Sequence, residues 1–167
     1  MDLKYGVAWD DSLELGNILV DSQHHQLFEL VSGLVAACMD GTDIIKLRET
    51  LDFLVNYTVC HFNDEEALQV KCGYPGYEEH RKMHDDFKIT IKELAEKFSK
   101  QGASEELSKD VNKIVVRWLI NHIQREDRRL ADYIKKNAIY LAENNDQTEG
   151  MLLPETQCTG GIGFASE

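Results

Sequence analysis

Five of the chain's six histidines fall where a helical repeat turns inward: His24, His61, His80, His84 and His122. Two carboxylates, Glu65 and Asp127, fall with them. Burying an ionisable side chain is costly unless it is paired or bound to a metal. One inward histidine is ordinary core material, but five accompanied by two carboxylates form a donor set. His61 and Glu65 are four residues apart, so on a helix both aim at one spot from adjacent turns. His80 and His84 repeat that spacing. The chemistry open to this set is metal binding.

The supply of donors narrows the metal. Two carboxylates that each bridge two ions offer four donor positions, and five imidazoles offer five more. A pair of tetrahedral zinc ions takes only eight and leaves a ligand idle. A pair of octahedral ions takes twelve, of which a solvent-derived oxo or hydroxo bridge fills two, and one position stays open. The set fits a dinuclear, six-coordinate site with a single opening for a small ligand. Mixed imidazole and carboxylate donors suit iron, with manganese as the other candidate.

Helices must position these groups. Residues 1–17 read as an irregular arm that Trp9, Leu13 and Leu15 could pack onto the body. Four helical repeats follow. The first, 18–39, carries His24 with Leu27, Phe28, Val31, Leu34, Val35 and Cys38; Gly41 ends it, and Thr42 or Asp43 caps the next. The second, 43–71, runs through Leu47, Leu51, Leu54, Thr58, His61, Glu65 and Leu68, and breaks at Gly73-Tyr74-Pro75-Gly76. The third, 76–99, runs through Tyr77, His80, His84, Phe87, Ile91, Leu94 and Phe98. The fourth, 105–141, runs through Leu107, Val111, Val115, Trp118 and His122, then resumes at Asp127, Leu130, Ile134, Ala138 and Leu141. Four long helices with short turns predict an all-α fold, an antiparallel up-down-up-down four-helix bundle.

The fourth repeat contains a slip. Five residues separate His122 from Asp127, which leaves their side chains about 140° apart on an ideal α-helix. For both to reach one site the helix must loosen between them, most simply through a π turn. Beyond the bundle, taken as 1–142, the segment 143–167 has five acidic residues, no Lys or Arg, and a Gly-Gly-Ile-Gly run. It reads as a flexible tail that could dock on the body or on a protein partner.

Charge excludes several functions. The 30 acidic and 18 basic residues give a net charge of −12, the wrong sign for nucleic acid or an anionic membrane surface. No apolar run is long enough to span a bilayer. The start of the chain lacks a basic segment followed by an apolar one, so a cytoplasmic protein is expected. Cysteines 38, 60, 72 and 158 show no CxxC spacing and read as reduced thiols.

The site residues resemble the hemerythrins, and among them the bacterial single-domain proteins. The resemblance rests on Asp21-Ser22-Gln23-His24 with Leu27-Phe28, on His61-Phe62-Asn63-Asp64-Glu65-Glu66, on His80-Arg81-Lys82-Met83-His84 with Phe87, and on Trp118-Leu119-Ile120-Asn121-His122 with Ile123 and Asp127. It spans about 9–135. It implies one iron on His80, His84 and His122, a second on His24 and His61, and Glu65, Asp127 and an oxo or hydroxo group bridging them. The second iron, one ligand short, is where this family takes dioxygen, end-on and by two-electron transfer. Leu119 and Trp118 would line the oxygen pocket, with Phe28 and Phe62 as further lining candidates.

Neighbouring residues are expected outside the ligand set. Glu66 is rotated about 100° from Glu65 and belongs to the surface or behind a ligand. His25 reads the same way. Cys60 faces away, Tyr77 packs, and Asp21 and Gln23 either cap the first helix or steady a ligand. The leading functional expectation is reversible dioxygen binding for carriage, storage or delivery, without enzymatic turnover. The alternatives are an oxygen or redox sensor working through a partner, and a diiron peroxidase or oxidase. Five neutral imidazoles make a less anionic set than that of carboxylate-rich oxygenases, which favours release of dioxygen over cleavage of it.

Overall fold

The computed structural model describes residues 9–39, 44–102 and 104–144. Four helices run through them: α1, Ile18–Met39; α2, Ile44–Cys72; α3, Tyr77–Gln101; and α4, over 105–144. They form the expected antiparallel four-helix bundle, with α1 beside α2, α2 beside α3, and α4 returning beside α1. No described helix is long and apolar enough to cross a membrane. The expected caps at 41–43 and the tail over 145–167 lie outside the described residues. The expected boundary between bundle and tail falls inside the last turn of α4, which ends at Asn144.

Two local devices set the helix ends near the site. At the α2–α3 turn, the Gly73 N–H donates to the Val70 carbonyl at 3.1 Å and the Tyr74 N–H to the Gln69 carbonyl at 2.9 Å. That is a Schellman closure, and it holds Gly73 at φ +66°, where a side chain would be strained. At the start of α1, Asn17 Oδ1 accepts from the Leu19 and Val20 N–H groups at 3.1 and 3.3 Å.

The cap of α1 is therefore Asn17. Asp21 instead anchors the arm: its carboxylate accepts from the Leu15 N–H at 2.8 Å and the Gly16 N–H at 2.9 Å. On the other side, Arg128 of α4 donates to the carbonyls of Glu14 at 2.6 Å and Ser12 at 2.8 Å. Leu13 is buried, and Trp9 and Leu15 pack against the core as expected.

The loosening expected in α4 is present. Ile123–Asp127 is a π turn, and both His122 and Asp127 are buried. A second π turn, Asn112–Val116, was not expected. It turns Val115 and Val116 inward together. The inward stripe then passes through Leu119, which is buried, while Trp118 is only half-buried. This corrects the stripe read through Trp118.

The cysteine expectation also needs correction. Cys38 and Cys72 are free, but Cys60 is disulfide-bonded. It immediately precedes His61 on the half-buried flank of α2, rotated about 100° from that inward ring.

Candidate metal centre

All seven sequence-selected donors converge in the core, none more than 5% exposed. The helix spacing does this: His61 and Glu65 share a face of α2, His80 and His84 share a face of α3, and the π turn brings Asp127 back to His122. The donor atoms fall into two overlapping groups, each within 4.8 Å of one another. Glu65, His80, His84, His122 and Asp127 make one group; His24, His61 and Glu65 make the other. Glu65 belongs to both. Its Oε1 lies 3.1 Å from His80 Nε2 and its Oε2 lies 3.8 Å from His61 Nε2. Asp127 also reaches both ways, with Oδ1 3.1 Å from His122 Nε2 and Oδ2 3.4 Å from His24 Nε2.

The fit to a metal shows in what remains unpaired. His122 Nε2 lies 2.9 Å from the Nε2 atoms of both His80 and His84. A neutral imidazole has one N–H to give, so ring protons alone satisfy this convergence poorly. Both ring nitrogens of His24, His80 Nδ1, Glu65 Oε2 and both Asp127 oxygens are buried without a hydrogen-bond partner. Folded proteins rarely strand buried polar atoms. Of these, His24 Nε2, Glu65 Oε2 and both Asp127 oxygens face the centre, and they are atoms a cation would engage.

Burial sets the protonation of the metal-free site. Burial, then His24, holds His61 well below the usual imidazole range. Burial, then His122, does the same to His84. Burial and the neighbouring Asp127 push Glu65 up to about 8. Burial opposes ionisation of Asp127 as well, but attraction to His122 overrides it, and Asp127 stays ionised.

A pH dependence follows for the metal-free protein. Below pH 6.5 the unfolded chain protonates its equivalents of His61 and His84 while the fold does not, so their contribution grows as pH rises to 6.5. Glu65 acts oppositely: the fold keeps its proton from 4.5 up to about 8, so stability falls as pH rises through that window. Two histidines outweigh Glu65 below 6.5, Glu65 dominates above it, and the Cys38 and Cys72 thiols, also raised by burial, add to the fall toward pH 9. Melting temperatures taken in chelator between about pH 5 and pH 9 should peak near pH 6.5. A flat or monotonic profile would contradict this.

Residues behind the donors hold the rings. His61 Nδ1–H donates to Gln23 Oε1 at 2.9 Å, while Gln23 Nε2 donates to Asp64 at 2.8 Å. His84 Nδ1–H donates to Glu66 Oε1 at 3.0 Å, and Lys88 Nζ steadies Glu66 from 3.6 Å. Each contact fixes the tautomer that aims Nε2 inward. Glu66 and Gln23 thus support ligands, two of the roles the sequence left open. His25 instead packs at a tilt against Trp9, ring centroids 3.9 Å apart and planes 30° apart. Tyr77 is half-buried at the start of α3, and Tyr74 meets the His80 ring edge-on at 6.5 Å. Gln69 was missed: it is fully buried and donates to Glu65 Oε1 at 2.8 Å. Its signal was a polar residue four positions after Glu65 on the inward face.

An apolar cavity of about 10 Å³ adjoins the centre, lined by Leu27, Val31, Leu54, Thr58, Phe62, Phe87, Val115 and Leu119. That is near the space one water-sized body needs. Its position follows from the repeat. Leu27 is three residues after His24, Thr58 three before His61, Phe87 three after His84, and Leu119 three before His122. Because adjacent helices are antiparallel, all four steps run the same way along the bundle. The cavity therefore lies one turn, about 5 Å, from the histidines.

The four pocket candidates separate here. Leu119 and Phe62 line the cavity. Trp118 does not, but stacks on His122 at 4.2 Å and on Phe87 at 3.8 Å. Phe28 also stands outside the lining and meets Trp9 edge-on at 5.5 Å.

Comparison with known proteins agrees with this architecture. Residues 16–134 match the family model described as the Hemerythrin HHE cation binding domain. The bacteriohemerythrin of Stenotrophomonas maltophilia (strain R551-3) is 32% identical over 87% of this chain and 92% of its own length. The myohemerythrin of Riftia pachyptila is 33% identical over 72% of this chain and 87% of its own. A crystal structure of wild-type hemerythrin superimposes with a TM-score of 0.67 at 28% identity, covering 75% of this chain and 95% of that one. With a buried His, Glu and Asp cluster fit for a metal at its centre, this chain belongs to the hemerythrin family.

Proposed function

We propose that this protein binds dioxygen reversibly at two irons, for carriage, storage or delivery. His80, His84 and His122 would hold one iron, His24 and His61 the other, with Glu65, Asp127 and an oxo or hydroxo bridge between them. Such a pair supplies two electrons to dioxygen and recovers them on release. The uneven grouping of the donors supports this division, since three histidines gather in one group and two in the other.

The observation that carries the reading is the cavity beside the histidines. Its walls are apolar except for Thr58, whose hydroxyl is spent on the Leu54 carbonyl at 2.8 Å. A small uncharged gas fits such a space, and bulk water is disfavoured there. No lining group can donate a proton to a bound substrate, which favours binding over turnover. Phe62 and Leu119 keep the space dry, and Gln23 and Glu66 keep the rings aimed. We take the protein to be cytoplasmic, and the Cys60 disulfide is the observation that cell fractionation must weigh against that.

The test is an optical spectrum of metal-quantified protein. It is reduced without air, exposed to dioxygen, then swept with inert gas. Two irons per chain and a charge-transfer band that comes with dioxygen and leaves on sweeping are expected. Immediate irreversible oxidation would sink the reading, and so would a chain reconstituted with a single iron.

A further inference from the structure

The centre has a second face. A cavity of about 20 Å³ lies on the opposite side, with Glu65 and Asp127 in its wall beside Leu15, Val20, Leu68 and Leu130. Val20 is four residues before His24, Leu68 seven after His61, and Leu130 three after Asp127. These steps run along the bundle away from the apolar cavity. Both cavities are largely apolar, but only this one has two residues of the centre, Glu65 and Asp127, in its wall.

We infer that this cavity, which reaches Glu65 and Asp127, is the route by which a divalent cation reaches the centre, and that the arm segment 12–16 closes it. The inference rests on the two-iron reading. A hydrated cation surrenders its water only where donor atoms replace it, and the other cavity has no donor residue of the centre in its wall. Glu65 and Asp127 are both in the wall of this cavity, and Glu65 Oε2 and both Asp127 oxygens are buried without a hydrogen-bond partner just behind it. Leu15 of the arm forms part of the same wall.

The arm is held over the opening from two elements. Asp21 of α1 takes the N–H groups of Leu15 and Gly16, and Gly16 turns there at φ +84°, a conformation side chains resist. Arg128 of α4 takes the carbonyls of Ser12 and Glu14. Neither residue is a donor of the centre. Their shared product is a pinned loop whose Leu15 side chain shares the cavity wall with the two carboxylate residues.

The experiment uses the full iron-loaded chain and three variants: Asp21→Asn with Arg128→Gln, which frees both clamps; Leu15→Ala, which widens the cavity and leaves the clamps; and Leu119→Ala, which widens the apolar side. Release of ferrous iron to excess chelator is followed without air, with hydrogen exchange of the arm amides alongside. The clamp and Leu15 variants should release iron at least about tenfold faster than the parent, and Leu119→Ala should not. Equal rates for parent, clamp and Leu15 variants overturn the inference, as does equal acceleration by Leu119→Ala. A parent chain that holds no iron after reconstitution overturns the two-iron reading, and this inference with it.

Discussion

Glu65→Gln should empty the metal centre and leave the bundle standing. Glu65 is the residue common to both donor groups, with one oxygen toward His80 and the other toward His61. Glutamine keeps its shape, and the amide oxygen can still accept from Gln69. What is lost is one negative charge and the ability to share two anionic oxygens. Loss of a supporting contact behind a ligand costs about 10–100-fold in metal affinity, so loss of a shared ligand should exceed about 100-fold.

The metal-free variant should nevertheless melt no lower than the metal-free parent above pH 8, where the fold would otherwise carry an ionised Glu65 beside Asp127. Metal analysis and thermal melts in chelator check both halves. Retention of two irons at parental affinity would show that Glu65 is not shared. A collapse of the metal-free melt would show that its role is structural.

Phe62→Ala should destabilise the protein by about 3–5 kcal/mol, the usual cost of truncating a buried phenylalanine. Phe62 is 1% exposed and lies flat on His84, ring centroids 3.8 Å apart and planes 3° apart. It also meets Phe87 at 6.1 Å and Trp118 at 5.8 Å. Its removal enlarges the apolar cavity, and a larger cavity can hold water. The ferrous protein should then oxidise faster in air. Phe28→Ala provides the comparison: it is equally buried but outside the lining, so it should cost similar stability and leave the oxidation rate near the parent's. Urea melts and the lifetime of the ferrous form separate the two effects. Equal oxidation rates for both variants would mean that the cavity does not control water at the centre.

The site was more legible in the sequence than the details of the helix that completes it. Ionisable residues on an inward stripe are rare, so His61, Glu65, His80 and His84 declared themselves through spacing alone. The slip between His122 and Asp127 was legible because both ends were marked by residues with a reason to be buried. The π turn at Asn112–Val116 had no such markers. Ile114, Val115 and Val116 offer an apolar side chain at any phase, so the stripe could be drawn through Trp118 without conflict. Supporting polar residues were partly legible: Gln23 and Glu66 adjoin ligands in sequence, whereas Gln69 looks like any glutamine until its burial is known. The grip of Arg128 on Ser12 and Glu14 joins positions more than 110 residues apart, and no local pattern announces such a contact.

The stacking of Trp118 on His122 also makes the protein its own optical probe. The chain has two tryptophans. Trp118 lies nearly parallel to a donor ring of the centre, with 13° between the planes, so its excited state is exposed to quenching by whatever that ring binds. Trp9 lies in the arm, on His25, and its emission follows where the arm rests. With Trp9→Phe the fluorescence reports the state of the centre, and with Trp118→Phe it reports the position of the arm. One lamp and two variants can therefore time metal arrival against loop movement in the same sample, with no dye attached.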